Sequence, residues 1–425
     1  MSARPLSAHP MSRRRALGLI GAGSVALVGS AACGGGSIGG GDDNGGGGTT
    51  GGGGGGNEGG EGTGGGAIKV GLVIPQAGIY TPLGVDMQNA WELYLEQNDG
   101  MLGGYTVETV IADEGEGPDT GVPAIQGVLQ NDQVDVLVGI VNSATALGAA
   151  DAVTEAQKVL IISNAGAAAI TGEAASPYIW RSSFVNAQVV VPLAEYLATN
   201  DIGPVYVMAP DYAAGQEVVA GFTTAFEAAG GSIAGQVLTP FMTTQDFQPF
   251  LSGIQSSGAA ATFVFYAGGE AVSFVQQYAA FGLKDSIPLY GSGFLTEGGV
   301  LNGQQEAAIG VRTSLHYSTE LDNEANAAFV EAYQGAYDAL PTCYAVQTWD
   351  AANVLNRALA EAADLSGDAI SEALGALGEI EDSPRGPWSF NGQTPEQTFY
   401  LREVVEAEGG LINSVVEDLG TFAQP

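Results

Sequence analysis

From residue 68 onward the sequence alternates short apolar runs with segments of helical spacing, and this alternation confines the chain to an α/β architecture. The first run, residues 68–74 (IKVGLVI), is apolar at almost every position, as a strand covered by helices on both faces must be. A Gly/Pro loop (75–84) and an amphipathic segment (85–98) follow it. Strand-like runs recur at 105–112, 134–140, 159–163, 178–181, 205–209, 232–238, 262–266, 287–290 and 308–315, with helical spacing at 190–199, 215–229, 271–281 and 324–339. Strands alternating with helices predict βαβ units and parallel sheets. These runs outnumber the strands of one compact sheet, so two lobes are expected, each with its own sheet. Ligands of such sheets lie beyond the carboxyl ends of the strands, which makes the loop after residue 74 a first candidate lip of a site.

The segment before residue 68 has a different character. Arg13, Arg14 and Arg15 precede an apolar stretch (16–28), the small residues Gly29, Ser30, Ala31 and Ala32, and then Cys33. Residues 1–32 read as an export signal peptide, too short and too rich in Gly and Ala to make a convincing membrane span. Ser12-Arg13-Arg14 resembles a twin-arginine export signal, and the ordinary secretory route stays open. Ala31-Ala32-Cys33 resembles a bacterial lipobox, with Ser30 where that pattern prefers Leu, so Cys33 is the expected lipidation site. Residues 34–66 are nearly all Gly with a few polar residues; they cannot bury enough apolar surface to fold and read as a flexible tether reaching about 30 Å. The expected location is extracytoplasmic (periplasm or cell surface), with the membrane held through a lipid anchor. Gly35-Gly36-Ser37-Ile38-Gly39 satisfies the nucleophile-elbow pattern, but no strand precedes it and no helix follows, so it reads as chance.

Composition removes several classes of function. The chain has 12 Lys plus Arg against 47 Asp plus Glu, and four of the arginines (Arg4, Arg13, Arg14, Arg15) lie in the signal, leaving 12 − 4 = 8 basic residues. Nucleic acid is therefore not an expected partner, because Lys and Arg supply most affinity for phosphate backbones. The acidity reads as solubility through self-repulsion or as a mildly halophilic surface. The two histidines are His9, in the signal, and His316, which removes multi-histidine metal sites and argues against a His-based triad. Cys343 has no partner once Cys33 is lipidated, and a Cys343–His316 thiol enzyme is the weakest of the readings. No phosphate-cradling Gly loop leading into Lys-Ser/Thr is present. No cofactor, metal or catalytic residue is expected, and the chain is not read as an enzyme.

A set of short matches in a consistent order then becomes informative. They are Val70-Gly-Leu-Val-Ile-Pro75 with Gly84, Asn98-Asp99-Gly100, Asp113, Val136-Leu-Val-Gly139 leading to Ser143-Ala-Thr145, Ile162-Ser-Asn-Ala165, Arg181 before Gln188, Asp211-Tyr212-Ala-Ala-Gly215, Asp246-Phe247 and Phe281-Gly-Leu283. No one of them is specific, but their order from Ile68 to the C-terminus resembles the Leu/Ile/Val-type family (branched-chain amino-acid family) of periplasmic substrate-binding proteins of ABC transporters. The resemblance implies the periplasmic binding protein type 1 fold: two Rossmann-like lobes with parallel sheets joined by a three-strand hinge. It implies lobe 1 at 67–184 and 316–391, lobe 2 at 185–315 and 392–425, and a ligand in the cleft between them, which closes by hinge motion. The implied partners are a small-molecule ligand and the membrane subunits of an ABC permease. A ligand-sensing receptor lipoprotein of the same fold, acting with a membrane signalling partner, is the alternative.

Candidate ligand-binding residues follow. Ser143, with Ala144 and Thr145, comes after a strand end and opens a helical segment, where a hydroxyl and free backbone amides suit a carboxylate; an ordinary N-cap serine is the plain alternative. The resemblance assigns Ser143 to a ligand carboxylate and the Ala165 carbonyl to a ligand ammonium. Two departures put amino-acid specificity in question. Ala167 stands where the family's amino-acid binders often carry Thr, and Gly291-Ser292-Gly293 stands where they tend to carry an acid that pairs the ammonium. Glu270 is a candidate replacement for that acid, or else a solvated helix-start Glu. The ligand is thus an amino acid if Glu270 reaches the cleft, and otherwise a carboxylate without an amine, an amide or another small metabolite. Tyr80, Tyr212 and Tyr344, on loops or helix starts, are expected to wall an apolar ligand body. Trp91, Trp180, Trp349 and Trp388 are assigned to packing.

Overall fold

The computed structural model describes residues 65–425; the expected signal peptide (1–32), Cys33 and nearly all of the expected tether (34–66) lie outside the described residues. The chain opens with β1 (Ala67–Ile74), α1 (Thr81–Gln97), a short antiparallel pair of β2 (Met101–Leu102) and β3 (Tyr105–Asp113), α2 (Pro118–Gln130), β4 (Val136–Gly139), α3 (Ser143–Ala156), β5 (Val159–Ile162) and β6 (Ile179–Arg181). These strands form one six-stranded sheet in the order β2-β3-β1-β4-β5-β6, parallel apart from β2. Val70, Leu72, Val73 and Ile74 of β1 have no exposed surface, which is why the run is apolar on both faces. Helix α1 buries Met87, Ala90, Trp91 and Tyr94, spaced three or four apart, against this sheet and a later helix.

A second set of elements follows: α4 (Asn186–Thr199), β7 (Val205–Pro210), α5 (Ala213–Ala228), β8 (Ile233–Thr239), α6 (Gln248–Ser257), β9 (Ala261–Val264), α7 (Gly268–Ala280), β10 (Leu289–Ser292), α8 (Gly299–Gln304) and β11 (Arg312–Leu315). The chain then forms α9 (Glu324–Tyr337), α10 (Cys343–Glu361) and α11 (Gly367–Ala376); α9 and α10 both pack on α1 of the first set. It returns through β12 (Trp388–Asn391) and ends in a long hairpin, β13 (Thr394–Ala407) and β14 (Gly410–Phe422). The second sheet has eight strands in the order β12-β13-β11-β10-β9-β7-β8, with β14 paired to β13. Strands β7 to β11 are parallel, and β13 is antiparallel to β11, β12 and β14. The result is two α/β lobes with mixed, mostly parallel sheets.

Two features differ from the sequence expectation. The run at 308–315 is a strand only from Arg312, because the preceding residues (Gln305–Ala308) form a 3₁₀ turn. The hairpin β13–β14 was not expected as strands; β13 buries Gln397, Phe399 and Leu401 on one face and, after a register shift at Leu401/Arg402, buries Arg402 and Val404. Strand β12 lies inside the stretch 316–391 and pairs in the second sheet. No described helix is long and apolar enough to cross a membrane.

Candidate functional site

Each residue singled out on a loop lies just past the carboxyl end of a strand. In the first sheet the loop after β1 carries Tyr80 and is pinned to the end of β3: Gln76 N–H donates to Asp113 Oδ1 (2.8 Å) and Ile79 N–H to Glu116 Oε1 (2.8 Å). Gly84 lets α1 seat against this loop, since a Cβ there would stand 1.9 Å from the Pro75 carbonyl oxygen. Glu114, immediately after β3, is fully buried and accepts the backbone N–H groups of Val141 (2.7 Å) and Asn142 (2.6 Å), just before α3. Burial pushes its carboxyl up to about 7, against the two amides that favour the ionised form.

Helix α3 is capped by Asn142, whose Oδ1 accepts from Ala144 N–H (2.9 Å) and Thr145 N–H (3.1 Å). Ser143 is therefore not an N-cap serine, and two of the amides expected to be free are occupied. Its Oγ accepts the Ala167 N–H at 3.1 Å, which ties α3 to the loop after β5 and leaves the hydroxyl proton to donate. Thr145 is buried, with its methyl pressed against Gly121 of α2, so it packs the α2–α3 contact.

Arg181, at the end of β6, is wholly buried beneath that loop. One guanidinium nitrogen donates to the carbonyls of Ala165 and Phe184, and the other to the Ala167 carbonyl (2.8 Å) and Thr171 Oγ1 (3.2 Å). Arg181 forms no salt bridge among the described residues; burial pulls it down to about 9, with Glu217 only partly offsetting this. The Ala165 carbonyl, expected to receive a ligand ammonium, already receives a cation from the protein.

The second sheet presents aromatics at its strand ends. Tyr212 follows β7, Phe241 follows β8, Phe265 follows β9 and Phe294 follows β10. Tyr212 stacks on Phe241 with ring centroids 4.1 Å apart and planes within 10°, and Phe265 lies 6.4 Å from both Tyr212 and Phe294. Phe294 in turn meets Phe184, after β6, at 4.8 Å, and Tyr344 of α10 at 6.2 Å. This aromatic chain joins the strand ends of one sheet to those of the other. Tyr80 belongs to the same place: burial pushes its phenol up to about 12, with Glu114, Glu116 and Glu270 adding to the shift. Burial, then Tyr80 and Glu270, raise Tyr212. Glu270 is half-buried in the first turn of α7, with its carboxyl raised by burial against a hydrogen bond from the Met242 backbone; its Oε1 is sealed from solvent without a partner.

The structure thus brings Tyr212 and Tyr344 into one aromatic chain and sets Ser143, Ala165 and Ala167 around Arg181, while Tyr80 lies on the loop after β1 and Glu270 in the first turn of α7. Ala144 is exposed on the first turn of α3. Ser292 is buried at the end of β10 with its Oγ unpaired. Glu297, the nearest acid beyond it, is committed to Arg402 (3.0 Å) and to the Cys343 N–H (2.8 Å). Phe184, Phe241, Phe265 and Phe294 were missed by sequence reasoning, although each stands within three residues of a strand end. The tryptophans pack: Trp91 donates to Thr109 and Trp180 to Ser371, Trp349 lies against Tyr94, and Trp388 lies under Arg385.

Two α/β lobes that face each other through the carboxyl ends of their parallel strands, with polar and aromatic side chains meeting there, define a bilobal solute-binding protein. The chain belongs to the periplasmic binding protein family, whose model matches residues 67–410. It is 29% identical over 350 residues to the Leu/Ile/Val-binding protein homolog 6 of Brucella melitensis, covering 81% of this chain and 89% of that protein. It is similar to a solute-binding protein of an ABC transporter from Rhodopseudomonas palustris BisB5, solved in complex with 3,4-dihydroxybenzoic acid (32% identity, TM-score 0.79, covering 84% of this chain and 99% of the other). A second R. palustris solute-binding protein, in complex with benzoate, is 34% identical with a TM-score of 0.76, covering 84% and 96%.

Proposed function

We propose that the protein is the extracytoplasmic receptor of an ABC importer, capturing a small aromatic carboxylate between its lobes and delivering it to the permease subunits. The observation that carries this reading is Arg181, which takes the carbonyls of Ala165 and Ala167. A ligand ammonium there would meet a fixed positive charge. At about 5 Å and an effective dielectric of about 20, two like charges repel by roughly 3 kcal/mol. A carboxylate gains by the same amount, and the Ser143 hydroxyl can donate to it. The aromatic chain from Tyr212 to Phe294 and Tyr344 suits a flat apolar ring. The benzoates carried by the two R. palustris relatives support the same ligand class. The protein binds rather than transforms its ligand in this reading.

The same reading takes 67–184 with 316–391 as one lobe and 185–315 with 392–425 as the other, with β12 reaching into the second lobe's sheet. Cys33 carries the lipid and 34–66 the tether. Isothermal titration of the purified protein with benzoate, 4-hydroxybenzoate, benzamide and leucine tests the ligand class. At least one benzoate binds, and leucine and benzamide do not; tight leucine binding with no response to the carboxylates refutes it.

A further inference from the structure

In a chain this acidic, almost every basic side chain finds a carboxylate. Lys69, Lys158, Arg312, Arg357, Arg385 and Arg402 each form a salt bridge, and among the described residues only Arg181 and Lys284 do not. Arg181 backs the loop described above. Lys284 is half-buried on the turn after α7, and its ammonium donates to the backbone carbonyl of Glu306 (2.7 Å). It pairs with neither the Glu306 carboxylate nor that of the adjacent Asp285. An ammonium carries three donors, so two are left over.

Lys284 lines a cavity of about 310 Å³ at the amino ends of β10 and β11, the opposite ends of those strands from the cleft. The interior is largely aliphatic: Val275 of α7, Leu289 of β10 and Val311 are buried there, with Ile309 beside them. Tyr278 also borders it, but its hydroxyl is engaged with Thr262 Oγ1 (3.0 Å) and the Ile287 carbonyl (2.8 Å). The charge of Arg312, the other cation in the lining, is matched by Glu403 at 2.7 Å. One unmatched cation therefore stands at an apolar hollow whose volume is at the small end for ligand sites. A monoanion with an aliphatic body satisfies both parts. A dianion would bring a second charge with no partner into a strongly acidic body.

We propose that this cavity is a second ligand site, separate from the cleft, that takes a short-chain aliphatic monocarboxylate. Lys284 anchors the carboxylate, and the chain lies on Val275, Leu289 and Val311. The site does not depend on which ligand the cleft holds.

Calorimetric titration of the purified protein with butyrate, hexanoate and hexan-1-ol tests it. At least one of the two carboxylates binds, and the alcohol of equal chain length binds about ten- to a hundredfold more weakly than hexanoate, the range of a hydrogen bond to a charged group. Lys284→Met keeps an unbranched stem and removes the charge, so carboxylate affinity falls by the same factor of about ten to a hundred. Ala307→Trp, at the half-buried rim of the cavity, fills it and abolishes binding. Ser143→Ala, in the cleft, leaves the carboxylate affinity within about twofold of the parent. No binding of either carboxylate at about 10 mM overturns the proposal. Unchanged affinity in Lys284→Met overturns it too, as does a loss that follows Ser143→Ala instead. Should Lys284→Met not fold, the acid-to-alcohol ratio together with Ala307→Trp decides. Failure of this site leaves the ligand class proposed for the cleft untouched, since that class is read from benzoate and leucine titrations.

Discussion

Replacing Glu114 by Gln should change how the protein's stability responds to pH. Glu114 is fully buried at the end of β3, and burial moves its carboxyl from 4.5 to about 7. A carboxyl raised above its unfolded value contributes stability that is complete below about pH 4.5 and is lost as pH rises through about 7. The amount is 2.303RT times the difference, 7 − 4.5 = 2.5, or about 3 kcal/mol. Glutamine keeps one of the two acceptors used by Val141 and Asn142 and turns an amide group toward the other, so the variant is less stable at low pH by about 1–3 kcal/mol. That deficit narrows by about 2.5 kcal/mol between pH 5 and 8, because only the parent protein must ionise a buried acid. Urea unfolding of both proteins across this range reads the difference directly. Asp86 and Asp350, both raised to about 6, titrate in both proteins and cancel. Parallel pH profiles would refute the reasoning. A parent protein that gained stability over the variant as pH rose would mean that the two amides, at 2.7 and 2.6 Å, outweigh desolvation.

Other perturbations reach different parts of the molecule. Arg402→Met strips the partner from Glu297 in a buried ion pair, and urea denaturation should show a loss of about 3–5 kcal/mol; a loss under about 1 kcal/mol would contradict the burial of that pair. Ser143→Ala leaves the Ala167 N–H without its acceptor, so titration with a bound carboxylate should show affinity weaker by about 1–3 kcal/mol, and unchanged affinity would place the ligand elsewhere. Cys33→Ser should move the protein from the membrane fraction to the soluble extracytoplasmic fraction, and unaltered fractionation would remove the lipid anchor from the reading.

The parallel strands were legible because a strand covered on both faces is apolar throughout: residues 68–74, 159–163 and 205–209 could be little else. The final hairpin escaped because β13 carries Gln397 and Arg402 at buried positions and a register shift at Leu401/Arg402 breaks the alternation by which a half-exposed antiparallel strand signals itself. The site's location was legible in part, since Tyr80, Ser143 and Tyr212 stand after apolar runs. The role of Arg181 was not. In sequence it is one arginine at the end of a three-residue strand, and only folding brings the carbonyls of Ala165, Ala167 and Phe184 around it. Phe265 and Phe294 read as core residues because the same chemistry that packs a sheet also packs a ligand ring.

The excess of acidic residues has a kinetic consequence for an anionic ligand. Residues 65–425 carry 47 − 4 = 43 Asp and Glu against 12 − 4 = 8 Lys and Arg and repel an approaching carboxylate, while the attraction of the buried Arg181 is short-ranged. Adding salt shortens the reach of the repulsion to about 10 Å at 0.1 M and leaves the desolvated contacts inside nearly untouched. For an anionic ligand, capture should therefore speed up with ionic strength while release stays nearly unchanged.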